Sequence, residues 1–233
     1  MSIQTRDVGE IASRSFGFMV KLTRDIGNLL LLIVLNVIPI INFIVLGYFV
    51  RVVRYDHDEP PKLGDYGGLF VEGLKLAIAI LLYALIPLIL LLVGGFGAGI
   101  FMFRFRWGFG ILTGLFLLLV IVAVLLLVFI FFFSLPALSL YMRTGDFGKI
   151  FAFGEAWDLV GRFGLGNYII FFIMLVVFNA IVAAIGSLIP WVGPMVLGVF
   201  SMAFTFKALS LFVNLKYPIP PPPPPPSPTH PTF

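Results

Sequence analysis

The sequence predicts an all-α, polytopic membrane protein with about five transmembrane helices, and three observations carry that expectation. Five long apolar runs, at about residues 27–50, 74–103, 108–142, 167–189 and 191–215, fill most of the 233-residue chain. Each reaches or exceeds the roughly 20 apolar residues that cross a bilayer core of about 30 Å. The composition is 61% hydrophobic and only 11% charged, where a soluble domain carries about 25% charged residues. The charges sit singly near the ends of the runs, as they do on the flanks of membrane helices.

The same pattern excludes several function classes. The formal net charge of +4 is scattered, with no basic stripe to neutralise phosphates, so no nucleic-acid partner is expected. The chain has no cysteine, which removes disulfides, thiolate metal sites and a cysteine nucleophile. His57 and His230 are the only histidines, too few for a histidine-built metal centre, and no cofactor is expected. The first run, about 24 residues long, exceeds the roughly 7–15 residues of a signal-peptide core and lacks a small-residue cleavage site. It is expected to stay as a helix.

Taken in order, residues 1–26 read as an amphipathic interfacial helix. Val8, Ile11, Ala12, Ser15, Met19 and Leu22 recur at helical spacing, with charged residues mostly between them. Such a stripe fits the acyl boundary of a membrane surface. Residues 27–215 form the membrane domain. Its first span carries Pro39 at mid-length, where a kink is expected. The second carries Pro87 and then a patch of glycines. The third is too long for an upright span and must tilt or bend at Pro136. The fourth and fifth are separated only by residues 189–192, the signature of a tight helical hairpin. From residue 216 onward the chain reads as a polyproline tail, with ten prolines between Pro218 and Phe233. Such a segment is extended and solvated, a stiff spacer or a ligand for an aromatic groove.

A short repeat organises the middle of the chain. Gly64-Asp65-Tyr66-Gly67-Gly68-Leu69-Phe70-Val71-Glu72-Gly73 matches Gly145-Asp146-Phe147-Gly148-Lys149-Ile150-Phe151-Ala152-Phe153-Gly154 at five of ten positions. Each copy follows a run that ends in arginine and precedes another run. This predicts two helix–loop–helix units in the same orientation, plus one further span. Asp65 and Asp146 precede apolar segments, where an aspartate caps a helix by accepting a backbone N–H bond. After the second copy, residues 150–162 read as another interfacial helix.

The stretch Asn42-Phe43 through Gly47-Tyr48 to Arg51 and Arg54, followed by Gly64-Asp65-Tyr66 and Glu72-Gly73, and later by Leu135-Pro136-Ala137-Leu138 and Gly145-Asp146-Phe147-Gly148, resembles the domain of unknown function 4013 family. That family comprises prokaryotic, often archaeal, polytopic membrane proteins. The resemblance covers roughly residues 25–215 and implies the membrane architecture without adding a chemistry.

The remaining candidates are few. Arg104, Arg106 and Trp107 read as a headgroup-level belt that anchors the chain or meets a lipid phosphate. Asp56, His57, Asp58 and Glu59 form the densest acidic cluster, expected to be a solvated turn. Gly95-xxx-Gly99, Gly110-xxx-Gly114 and Ala180-xxx-Ala184 permit close helix approach, within the chain or in a homo- or hetero-oligomer. Lys207 lies inside the last run and is expected to snorkel to the interface. Asn36 and Asn179 lie at comparable depth and each needs a polar neighbour, the other asparagine being one candidate.

Together these residues point to a non-catalytic integral membrane protein, a structural or accessory subunit of a membrane assembly, with membrane lipids as its surroundings. A small lipid or solute carrier or channel is the alternative. With five spans, the repeat loops and the tail share one side and carry nine Lys and Arg against six on the other. A multi-pass protein of the cell membrane with those loops in the cytoplasm is therefore expected.

Overall fold

A computed structural model describes residues 7–104, 109–190 and 192–219, without the side chains of residues 93–113 and 115. Among the described residues every regular element is helical. The helices are α1 (Val8–Lys21), α2 (Ile26–Val37), α3 (Asn42–Tyr55), α4 (Tyr66–Arg104), α5 (Phe109–Thr144), α6 (Phe153–Phe163), α7 (Leu165–Ser187) and α8 (Val192–Val213), with short 3-10 turns at Leu22–Arg24 and Phe147–Phe151. Four helices, α4, α5, α7 and α8, are long and apolar enough to cross a membrane. The protein is a polytopic α-helical membrane protein.

The fifth expected span does not form, and the reason lies at Pro39. The proline removes an N–H and pushes the preceding residue out of the helical region. Ile38 accordingly ends α2 in an extended conformation, φ −89° and ψ 115°. Ile40 then takes φ 73°, a strained value for a β-branched residue. The outcome is a reversal of the chain rather than the expected kink. The carbonyls of Ile38, Ile40 and Ile41 are taken by the N–H groups of Asn42, Phe43 and Ile44, which satisfies these three acceptors in an apolar setting. At the open end of this hairpin, the Asn28 amide of α2 and the Tyr48 hydroxyl of α3 both donate to the Pro61 carbonyl, at 3.1 and 2.9 Å. Arms of 12 and 14 residues rise only about 18–21 Å, too little to cross a bilayer core.

Because the hairpin returns, the N-terminal helix lies at the same end of the molecule as the loop before α4. The buried residues of α1, Val8, Ile11, Ser15 and Phe18, pack on α8 and its neighbours. The stripe read as a membrane-surface face is therefore covered by protein, leaving Phe16 and Val20 exposed. The loop after α5, α6 and the end of α8 close the same end: Lys216 pairs with Asp158 at 2.9 Å, and the Tyr217 hydroxyl donates to Glu155 at 3.1 Å. Residues from 220 onward, which include nearly all of the polyproline tail, lie outside the described residues.

Glycine permits two close helix approaches among the described residues. A Cβ at Gly47 of α3 would stand 1.8 Å from the Leu69 carbonyl oxygen of α4, and one at Gly73 would stand 1.8 Å from the Phe43 oxygen. A Cβ at Gly193 would meet the Gly186 oxygen at 2.0 Å, which closes the α7–α8 hairpin. The small-residue pairs singled out in the sequence do not serve this purpose within the chain. Gly114 faces open space, and Ala180 and Ala184 are exposed. The surroundings of Gly95, Gly99 and Gly110 lie outside the described residues.

Pro136 lies inside α5 without ending it. Lacking an N–H, it leaves the carbonyl four residues back without its helical donor. That carbonyl belongs to Phe132, and the Tyr168 hydroxyl of α7 donates to it at 2.5 Å. Tyr168 is fully buried among Phe132, Phe171 and Phe212. Tyr168→Phe is expected to cost about 1 kcal/mol, the net worth of one intramolecular hydrogen bond plus an orphaned acceptor. Denaturant titration in mixed micelles measures it, and a cost near zero would mean that α5 satisfies the carbonyl another way.

The two copies of the repeat build different local structures. The first starts α4 directly, whereas the second becomes the 3-10 turn before a separate α6. Both loops nevertheless meet at one end, where the Arg54 Nε donates to the Met142 carbonyl at 3.3 Å and its guanidinium lies against Gly145.

Candidate functional site: a buried ion-pair cluster at the loop end

The acidic turn and the buried lysine, treated separately in the sequence, are one structure. Asp56 stands just past α3 in the left-handed region, φ 48° and ψ 45°, a conformation that aspartate tolerates better than most residues. From there its carboxylate points at α8. Lys207 and Ser210 of α8, and Asn214 in the turn just past it, recur at helical spacing and face the same way. The Lys207 Nζ lies 2.9 Å from Asp56 Oδ1 and 3.1 Å from Asp58 Oδ1, and it donates to the His57 carbonyl at 2.9 Å. Ser210 Oγ donates to Asp56 Oδ1 at 2.6 Å, and the Asn214 amide donates to Asp56 Oδ2.

Lys207 is 1% exposed, so it does not snorkel. A buried ammonium is tolerated only when paired and hydrogen-bonded, and all three of its protons have partners here. The Phe18 ring of α1 lies 5.8 Å from Nζ, adding a cation–π contact. The 56–59 segment is likewise not a free solvated turn. Arg14 pairs with Asp58 at 3.2 Å and Lys21 with Glu59 at 2.8 Å, so α1 clamps it from outside. On the other flank, Arg143 Nη2 donates to the Ser210 carbonyl at 2.8 Å and to Ser210 Oγ at 3.2 Å. Among the described residues, Arg143 Nε and Nη1 and the Tyr141 hydroxyl are buried with no hydrogen-bond partner, and ordered water satisfies such groups in protein interiors.

Electrostatics follow from this packing. Burial alone would raise the Asp56 pKa. The Lys207 charge and the hydrogen bonds from Ser210, Lys207 and Asn214 outweigh it and hold the carboxyl below its ordinary value. Asp58 is depressed in the same way: burial opposes, and Lys207 and Arg14 prevail.

A second set lies beside the first. Arg51 bridges Asp65 at 2.6 Å and Glu72 at 3.3 Å, while Arg54 reaches Glu72 at 2.9 Å. Asp65 accepts from the Gly68 N–H at 3.2 Å, and Asp146 accepts from the Gly148 N–H at 2.9 Å. Asp65 thus both caps α4 and holds Arg51, a partnership the ten-residue motif did not reveal.

The two asparagines do not meet. The Asn36 amide donates to the Met195 carbonyl at 2.9 Å and its Oδ1 accepts from Asn42 at 2.6 Å. The Asn179 amide donates to Leu175 O at 2.8 Å and Thr205 Oγ1 at 3.0 Å, and its Oδ1 accepts from Ser201, pinning α7 to α8. Arg106 and Trp107 lie outside the described residues, and Arg104 is described only as the last residue of α4.

The cluster's chemistry is that of a fastener. With its protons engaged, Lys207 offers no lone pair for attack or proton abstraction. Ser210 Oγ donates to a carboxylate and accepts from an arginine, so its own proton is already engaged. Among the described residues no group of three or more His, Asp or Glu is placed to hold a metal ion.

The model of the family described as "Protein of unknown function (DUF4013)" matches residues 30–191, well over half of the chain. The chain belongs to this family. No curated protein and no solved structure matches it. The DUF4013 segment takes in Asp56, Asp65, Glu72 and Arg143 but ends just before α8, so Lys207, Ser210 and Asn214 meet it from outside the matched region.

Proposed function

We propose that this DUF4013 protein is a non-catalytic subunit of a membrane assembly, whose locked loop end presents its spans to partners within the bilayer. One observation carries the reading. The spans bury little of themselves against one another: 6% of the most apolar window of α5 and 17% of those of α4 and α7 are buried, against 56% for α8. Over their described residues, α4 and α5 are therefore largely unpartnered. The outward small residues at Gly114, Ala180 and Ala184 offer close-approach surfaces that the chain itself does not use. The polar groups at the loop end are occupied by each other, which favours a structural role over a catalytic one.

Sidedness follows the same reading. Of the 15 Lys and Arg residues, only Arg104 and Arg106 lie in the sequence around the junction of α4 and α5, and none lies around that of α7 and α8. The loop end, with the N-terminus, faces the cytoplasm of a cell-membrane protein by the positive-inside rule.

Photo-crosslinking tests the assembly. A photoreactive phenylalanine placed in turn at Leu117, Leu118, Ile121, Val124 and Leu125 of α5 is expected to give a protein adduct of one discrete mass in native membranes. Its yield should follow helical periodicity, strong on one face and weak on the other. Uniform lipid adducts at all five positions would sink the proposal. So would solute flux through proteoliposomes of the purified chain, which would establish the carrier alternative.

A further inference from the structure

A groove of ≈ 510 Å³ opens between the α4–α5 hairpin and α7. Ile80 and Ala84 of α4, Leu127 and Phe131 of α5, and Ile173 and Val176 of α7 form its walls. The lining holds two hydroxyls, and both are already engaged inside the protein. Tyr83 donates to the Ile150 carbonyl, and Ser134 Oγ donates to the Phe131 carbonyl at 3.3 Å. The groove therefore presents hydrocarbon alone. A polar solute entering it would give up hydration without replacement, so it selects an apolar ligand.

The position of the groove names the source of that ligand. Its walls belong to three membrane spans. Its rim residues Leu127, Ile173 and Val176 are 44%, 53% and 51% exposed and continue the lipid-facing surface of α5 and α7. At the loop end the groove is closed by the 3-10 turn whose Ile150 carbonyl takes Tyr83. The next residue of that turn, Phe151, is 60% exposed, and an aromatic there favours the headgroup level of a bilayer. Its floor is narrow, because α5 and α7 already touch there through Phe132 and Phe172, whose ring centroids are 5.0 Å apart. Another helix, about 10–12 Å across with side chains, does not seat in such a slot, whereas a single hydrocarbon chain does.

We propose that this groove is a lipid site, holding one acyl chain of a bilayer phospholipid with its headgroup beside the 3-10 turn at Phe147–Phe151. The chain is a bound component, distinct from the exchanging lipids on the outer faces of α5. This site is independent of the assembly proposed above, because it is read on the purified chain with no partner present.

The test is native mass spectrometry of the full chain after prolonged exchange into a delipidating detergent. Wild type is expected to retain phospholipid, recognised by its mass and separable from free fatty acid. Ala84→Trp fills the groove and is expected to lower the retained fraction about ten-fold. Leu125→Trp, on the 63%-exposed lipid face of α5, is expected to retain as much as wild type. A wild-type chain that emerges lipid-free overturns the proposal, as does equal retention in Ala84→Trp. A lipid-free dimer overturns it in favour of a second copy as the occupant.

Should Ala84→Trp fail to fold, phospholipids with brominated acyl chains decide. The added tryptophan of Val176→Trp must be quenched at a lower mole fraction of these lipids than that of Leu125→Trp. Equal quenching at the two positions removes the site.

Discussion

Asp56→Asn is expected to destabilise the protein by about 3 kcal/mol, the lower end of the cost of breaking a buried ion pair from one side. The variant keeps the shape of Asp56, but it turns one accepting oxygen into a donating NH2 and leaves Lys207 with less negative charge in a buried setting. Lys207 is 1% exposed and cannot regain water. The remaining carboxylate, Asp58, is 69% exposed at its side chain and compensates only in part. The lower end of the range applies for that reason.

Lys207→Met is expected to cost a comparable amount, by leaving Asp56 with Ser210, Asn214 and a more distant arginine. The double variant Asp56→Asn/Lys207→Met removes both charges and should recover much of the loss, as apolar replacements of whole buried pairs do. Additive losses in that cycle would show that the two groups are not coupled. The pH dependence has a definite sign. Asp56 has a folded pKa below its ordinary value. Its stabilisation is therefore complete above the unfolded carboxyl value of about 3.9 and is lost as pH falls through the folded one. Wild type should lose stability below about pH 4 more steeply than Asp56→Asn does, measured by detergent-micelle unfolding at a series of pH values.

Hydropathy made the class of the fold legible in the sequence, because run length and composition are all a bilayer requires. It could not separate a span from a hairpin that enters and returns. Residues 27–50 have the length of one crossing, and only the backbone at Ile38–Ile41 shows that the chain turns back. Pro39 marked the place, but a proline within an apolar helix is compatible with a kink or a reversal. Which one occurs depends on partners far along the chain, such as Pro61 for Asn28 and Tyr48, and Met195 for Asn36. That single reversal moved the N-terminus to the other end of the molecule and changed the count of basic residues on each side.

The ion-pair cluster was hidden for a similar reason. Asp56 and Lys207 are 151 residues apart, and neither a lone acidic turn nor a lone lysine near a span end identifies its partner. Two signals did bear on it. The lysine sat some eight residues inside a span, a costly place without a counter-ion, and the acidic cluster lay next to the end of another apolar run. Asp65 and Asp146 were legible as caps because capping is local and needs only the residues that follow.

Gly73→Ala is expected to be among the most damaging single methyl additions to the chain. Its Cβ would stand 1.8 Å from the Phe43 carbonyl oxygen and 2.7 Å from the Gly47 nitrogen, both backbone atoms that cannot rotate away. Gly47→Ala presses equally hard on the Leu69 carbonyl. Relief requires α3 and α4 to separate by more than an ångström, and overpacking of this kind costs about 1–3 kcal/mol or more. The loss should not stay local. Arg51 and Arg54 of α3 reach Glu72 of α4 across this crossing at 3.3 and 2.9 Å, and Asp56 hangs from the end of the same α3. A displaced α3 therefore loosens both charge clusters together. The double variant Gly73→Ala/Asp56→Asn should then lose less than the sum of its parts. Gly114→Ala supplies the contrast: its Cβ meets nothing within 4 Å, and helix propensity alone should make it neutral or stabilising by about 0.5–1 kcal/mol. Unfolding of the three alanine variants in the same micelles separates the two effects. A Gly73→Ala protein as stable as Gly114→Ala would mean that α3 and α4 do not cross as closely as these contacts require.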